Sequence, residues 1–169
     1  PPRSTRKESS AASDVYKRQG EWALRLLCAC LAITPLRIIT GKVEWLRYRR
    51  MLGLLAFFYA CLHLAVYWVF ILRLQWADFF YEFAQRPYIA AGMAALLLLV
   101  PLAITSTKKW QRKLGRQWLR LHRLVYLAAA LALTHVWWQT RSDYTEALIY
   151  TLILLALGII RFRRKPWFK

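Results

Sequence analysis

Residues 51–72, MLGLLAFFYACLHLAVYWVFIL, carry no formal charge over 22 positions, and residues 88–105, YIAAGMAALLLLVPLAIT, carry none over 18. Each run is long enough to cross a hydrocarbon core of about 30 Å as a helix. A bilayer offers no hydrogen bonds to a bare backbone. A helix pairs its own N–H and C=O groups, so helix is what these runs impose. Three weaker runs complete the pattern. Residues 22–39 have Arg25 and Arg37 toward their two ends, 120–140 have Arg123 near the start, and 144–160 have Glu146 near one end. Arginines so placed reach the interface by snorkelling. The expectation is an all-α integral membrane helical bundle over residues 21–169, with five transmembrane helices.

The chain is 59% hydrophobic yet has a formal net charge of +18, and nearly all of that charge lies between the apolar runs. Lys and Arg favour the cytoplasmic side. The 40–50 loop has four of them, 73–87 only Arg73 and Arg86, 106–119 five, the 141–143 turn Arg141 alone, and the C-terminal RFRRKPWFK five. This alternation puts the 40–50 loop, the 106–119 loop and the C-terminus in the cytoplasm. Charge flanking membrane spans explains the basic loops, and anionic lipid is a nearer partner for them than nucleic acid.

Residues 1–20 break the pattern. One helix away from a cytoplasmic loop, they should face outward, yet they contain Arg3, Arg6, Lys7, Lys17 and Arg18. Either 22–39 does not span or a preceding helix is missing. The segment PPRSTRKESSAASDVYKRQG is polar and Ser-rich and has no apolar core of a signal peptide. It is expected to be disordered, reads as a truncation or assembly scar, and is set apart from the fold. Its deletion is expected to leave cofactor binding unchanged.

The ionisable groups inside the spans are few: His63, His135 and, near an end, His122. Such groups are costly in a membrane and usually functional. A single intramembrane histidine is more often an interhelical hydrogen bond or an interfacial residue. No Asp or Glu lies in the middle of a span, which weighs against a proton relay. Neutral imidazole is a standard axial ligand to haem iron.

Depth makes the three histidines more informative together. A helix rises about 1.5 Å per residue, which separates His122 from His135 by roughly 20 Å. His63 follows Arg49 and Arg50 by fourteen and thirteen residues on a helix running in the same direction. His63 should therefore lie level with His135, and Arg49 and Arg50 level with His122. Two stacked b-type haems are the natural reading, the outer held by His63 and His135, the inner by His122 facing an arginine. One geometric difficulty follows. At about 100° per residue, a thirteen-residue step does not return to the same face. The 120–140 helix must be kinked or over-wound, or its imidazoles must reach sideways.

Other residues set limits. Gly53, Ala56 and Ala60, with Ala128, Ala129, Ala130 and Ala132, leave room for a haem or permit close helix packing. Trp137 and Trp138 read as an interfacial belt. Cys28, Cys30 and Cys61 lie within spans, as small apolar residues rather than disulfide or zinc positions. The six glycines never form a GxG, so no dinucleotide fingerprint is present. No hydrolase constellation is present either, and the chain reads as an electron conduit. On residues alone, a transporter or channel component with histidine gates, or a non-redox scaffold, stays open.

The stretches RRMLGLLAFFYACLHL, RPYI, ITSTKKWQRKLGRQWLRLHRLVYL and LTHVWW together resemble the MsrQ (YedZ) family, within the wider ferric-reductase-like transmembrane family. The resemblance covers roughly residues 22–165 and is most specific from Thr105 to Tyr126. It implies a six-helix bacterial inner-membrane protein that binds haem b, one or two, with FMN as a further cofactor. It implies electron transfer, from the quinone pool or a soluble flavin reductase, to MsrP, a periplasmic molybdopterin subunit. That partner carries the catalytic site and reduces methionine sulfoxide in oxidised proteins. By the same resemblance, His63, His122 and His135 match the haem histidines. Arg49 and Arg50 stand where the wider family has a fourth histidine, and the family's first helix is expected to be missing.

Overall fold

The computed structural model describes the backbone of residues 3–140 and 143–163, and side chains from Val15 onward apart from Phe162. Arg141 of the 141–143 turn, and Arg164, Lys165 and Lys169 of the basic C-terminus, lie outside the described residues. The described residues are helical, with no strand among them. The all-α membrane architecture expected from the charge-free runs is the one observed.

Helix α1 runs from Arg3–Thr40. It ends at Gly41, whose φ of +72° is the left-handed closure that glycine supplies without steric cost. The Gly41 N–H donates to the Arg37 carbonyl at 2.9 Å. The polar 1–20 segment, expected to be disordered, is therefore helical from Arg3. Its Ala, Glu, Lys, Arg and Gln are strong helix formers. At the chain's entry to the bundle the helix also finds a neighbour, for the Tyr16 ring stacks on His63 at 4.1 Å.

A short 3₁₀ turn at Val43–Trp45 leads into α2, Leu46–Val66. The helix then widens into a π turn over Tyr67–Ile71. Arg73 and Leu74 take φ of +48° and +62°, an uncommon conformation for residues with a Cβ. They redirect the chain into α3, Trp76–Gln85.

Helix α3 falls where the sequence suggested only a loop. Its ten residues are too short to span. Helical spacing puts Trp76, Phe80 and Phe83 on one face and Asp78, Glu82 and Gln85 on the other. Trp76, Phe80 and Tyr81 are each close to two-thirds exposed. The signal was an apolar period shorter than a membrane span, masked by the two charges within it.

Helix α4, Pro87–Ile104, begins with proline at its first position, where a missing N–H costs nothing. Helices α5 (Lys108–Leu114) and α6 (Arg116–Leu121) are separated by Gly115, at φ +49°. Thr107 caps α5 by accepting from the Trp110 N–H. Helices α7 (Leu124–Gln139) and α8 (Thr145–Arg163) complete the bundle.

Among the described residues, three stretches are long and apolar enough to cross a membrane: Val15–Thr40, Val43–Ile71 and Pro87–Ile104. Helix α7, at 16 residues, rises about 24 Å. Helix α1 lies along α2 and α4 along α7, and α8 closes against α1. Leu27, Leu31, Ala56, Leu99, Leu102, Val125, Ala128 and Ala129 form the central cluster. Ala56 and Ala128 are buried almost completely. Small side chains let the helices approach closely where lipid supplies no hydrophobic drive to associate. Large apolar residues such as Leu97, Leu152 and Leu155 point outward.

Candidate functional site

Helix α2 brings His63 and α7 brings His135 to one place. Their ring centres are 6.3 Å apart and their planes meet at 84°. His63 Nδ1 donates to the Tyr16 carbonyl at 3.0 Å, and His135 Nδ1 donates to the Tyr88 carbonyl at 2.6 Å. A carbonyl only accepts. Each neutral ring therefore carries its proton on Nδ1 and a lone pair on Nε2. Metal-binding histidines are held in this way, with the second nitrogen donating to a carbonyl that fixes the ring and raises its basicity.

Each ring also rests on a glycine of the neighbouring helix. A Cβ at Gly20 would come 3.0 Å from His63 Cε1, and one at Gly92 would come 2.8 Å from His135 Nδ1. Gly20 precedes His63 by 43 residues and Gly92 precedes His135 by 43. The two imidazoles are thus held alike, by α1 on one side and α4 on the other. Neither glycine was singled out in the sequence. The repeated spacing was the signal that could have found them.

A metal about 2 Å from a nitrogen of each ring separates the ring centres by roughly 6 Å, because each centre lies a little over 1 Å behind its nitrogen. The observed spacing matches that arrangement, so His63 and His135 fit a haem iron held between two imidazoles. The Tyr67 hydroxyl is buried without a hydrogen-bond partner and stands four residues beyond His63, available to a polar edge of a bound group. No cluster of three or more His, Cys, Asp or Glu occurs among the described residues.

At the other level the arrangement differs. The 120–140 stretch is not one helix: α6 stops at Leu121, and His122 and Arg123 form a turn before α7. Of the ways the thirteen-residue step left open, the structure takes the kink. His122, Arg49 and Arg50 line one cavity of about 390 Å³, together with Gly53, Phe57 and Trp118. That volume lies within the range of cofactor pockets.

His122 Nε2 and the Thr105 hydroxyl are 3.1 Å apart. The Thr105 hydroxyl donates its single hydrogen to the Pro101 carbonyl at 2.6 Å. It must then accept from His122, which leaves the lone pair on Nδ1. Trp118 stacks on the His122 ring at 4.0 Å, and its indole N–H donates to the Thr105 carbonyl. Across the cavity, the Cys30 thiol donates to the Arg49 carbonyl at 3.3 Å and ties α1 to α2. This level offers one imidazole, engaged through Nε2, and guanidinium groups. Arginine is a poor iron ligand because it stays protonated.

Trp138 is exposed, as a belt residue should be. Trp137 turns inward instead and donates to the Thr151 hydroxyl at 2.9 Å. Burial of the indole leaves its N–H in need of an acceptor, and α8 supplies it.

Residues 19–133 match the family described as ferric reductase like transmembrane component. The chain belongs to this family. Among its relatives is the protein-methionine-sulfoxide reductase heme-binding subunit MsrQ of Xanthomonas axonopodis pv. citri. That protein is 53% identical over 145 residues, covering 86% of this chain and 66% of the relative. The protein of the same description from Rhodospirillum rubrum is 47% identical over 146 residues, covering 86% of this chain and 70% of the relative. This ferric-reductase-like chain thus spans about two-thirds of the length of the curated relatives it matches. The match includes α1 from residue 19, and with it Gly20, as well as His63 and His122. His135 lies two residues past the end of the family match.

Proposed function

We propose that the chain is a membrane b-type cytochrome subunit that passes electrons across the bilayer. The reading rests on one observation above others. His63 and His135 lie at bis-imidazole spacing, each with Nδ1 turned to a carbonyl and Nε2 left for iron. The relatives' description as heme-binding subunits supports it. Haem, when bound, would supply a one-electron couple at that level. The protein's own residues hold the two rings, exclude water with the packed faces of α1 on α2 and of α4 on α7, and offer the Tyr67 hydroxyl to a polar edge of the group.

His122, with Arg49 and Arg50 opposite, is proposed to take a second, inner haem in the 390 Å³ cavity. There the Thr105 bond must be exchanged, or Nδ1 used, for His122 to bind iron. The arginines suit carboxylates better than iron. By kinship with the MsrQ proteins, electrons enter from quinone or a soluble flavin donor and leave to the periplasmic molybdopterin subunit MsrP, where methionine sulfoxide is reduced. FMN belongs to the same reading, with the basic 108–116 stretch as the place where its phosphate would meet positive charge. The proposed setting is a bacterial inner membrane, with the 106–119 loop and the C-terminus cytoplasmic. Reporter fusions that place the 106–119 loop outside would overturn that orientation.

The deciding experiment is an absorption spectrum of the purified protein, oxidised and dithionite-reduced. A Soret band that shifts on reduction, with sharp visible bands, is expected. Its absence from protein expressed with ample haem would leave the histidines as gates or helix contacts.

A further inference from the structure

Helix α3 is tied to the membrane at both ends. Arg86 alone separates it from the span Pro87–Ile104, and residues 72–75 separate it from the span Val43–Ile71. Those residues are folded into a turn: the Leu74 N–H donates to the Trp68 carbonyl at 3.0 Å and the Gln75 N–H to the Leu72 carbonyl at 2.9 Å. The far corner is braced as well. The Arg86 guanidinium pairs with the Glu82 carboxylate at 2.6 Å and donates to the Tyr88 hydroxyl at 2.9 Å. Standing upright, a helix of this length would carry one end about 15 Å from the span it must rejoin. Held so closely at both ends, its axis runs along the membrane surface.

Its apolar side continues the lipid-facing surface of the preceding span. Trp68, in the π turn that ends that span, meets Trp76 at 4.1 Å and Phe79 at 5.2 Å. Beside them Phe70 and Leu74 are exposed, as are Trp76, Phe80 and Phe83 on α3 itself. Helical spacing sets Asp78, Glu82 and Gln85 opposite, and Tyr81 lies between the two sides. Tryptophan and tyrosine are the residues that settle at headgroup level.

We propose that α3 is an interfacial anchor. It lies in the plane of the membrane surface, with Trp76, Phe80 and Phe83 sunk to the boundary of headgroups and acyl chains and Asp78, Glu82 and Gln85 toward water. One-sided helices of this kind are held at that depth by the apolar area they bury. The acidic opposite side offers nothing to an anionic headgroup, so the occupant of the aromatic face is the lipid boundary itself and phosphatidylcholine suffices. The proposal is independent of the paired-histidine site.

The test places a nitrobenzoxadiazole label at Phe80→Cys or Asp78→Cys in the full chain, in phosphatidylcholine nanodiscs, with the parent and its three native cysteines as the background. Phospholipid brominated near the glycerol end of its acyl chains should quench the label at 80 about threefold more than the label at 78, and aqueous iodide should show the reverse. A second measurement needs no label. The emission lost in Trp76→Phe relative to the parent belongs to Trp76, and brominated lipid should quench it. Equal quenching of both labels by iodide would put the whole helix in water and overturn the proposal. Shielding of position 80 from lipid and iodide alike would mean that protein covers the aromatic face, and would overturn it equally.

Discussion

The two histidine levels of the bundle share helix α2 and behave as opposites. At one level His63 and His135 face each other at 6.3 Å, and backbone carbonyls take both Nδ1 protons. At the other, His122 gives Nε2–H to a threonine hydroxyl and faces guanidinium groups across a cavity. A carbonyl acceptor leaves the distal nitrogen basic and free, whereas the hydroxyl occupies it. The first level is the one proposed to hold a metal between two rings. The second is proposed to bind one through Nδ1, or through Nε2 once the Thr105 bond is exchanged.

The largest effect expected is at the paired level. His63→Ala and His135→Ala should each abolish the same haem, because one iron would take a ligand from each. Haem per protein and low-temperature spectra report it. Two spectrally distinct losses would break the pairing and the contrast with it.

Gly92→Leu comes next. The first added carbon would already lie 2.8 Å from the His135 ring, so the ring or α4 must move. Overpacking of this kind costs about 1–3 kcal/mol. The variant should lose most of the haem that His135→Ala loses and melt at a lower temperature. Gly115→Ala, where nothing lies within 4 Å, is a matched control for cofactor content, though its positive φ costs some stability. Retention of normal spectra in Gly92→Leu would show that the imidazole is not held by this contact.

His122→Ala should remove or perturb a different haem and leave the paired level intact, with Arg49→Ala less severe. Thr105→Val deletes the hydroxyl bond, worth about 1 kcal/mol, and frees Nε2. It should shift the inner spectrum without abolishing it. If His122→Ala changed the spectrum of the paired haem instead, the two levels would not be separate sites.

The smallest effect lies outside both levels. The Asp143 carboxylate accepts from the Thr145 N–H at the start of α8, which holds its pKa below the usual carboxylate value. A lowered folded-state pKa gives stability above the unfolded value of about 3.9, and that stability is lost as pH falls through the folded value. Asp143→Ala should melt slightly earlier than the parent at neutral pH and converge with it in acid. Both haem levels should be unaffected, which makes the variant a control for changes that reach them through α8.

Much of this was legible along the chain. Charge-free runs fixed the helices, because a bilayer accepts no unpaired backbone. Rise per residue placed His63 beside His135 and Arg49 and Arg50 beside His122, because depth along a helix follows from counting alone. The same arithmetic left a kink, an over-wound helix or sideways imidazoles open, and the structure shows a break at His122 and Arg123. Helix α3 was not legible, since ten residues with two acids read as a connector until their facing is seen. Nor was the extension of α1 back to Arg3, where composition argued for disorder.

The sequence by itself determined the all-α membrane architecture and the level of each histidine along its helix, since each follows from local chemistry and a fixed rise. Tertiary structure alone decided which face each ring presents, which carbonyl or hydroxyl takes its proton, and which glycine lies behind it. Those depend on helix rotation and on neighbours 43 to 47 residues away, and both are set by how small residues let the helices pack.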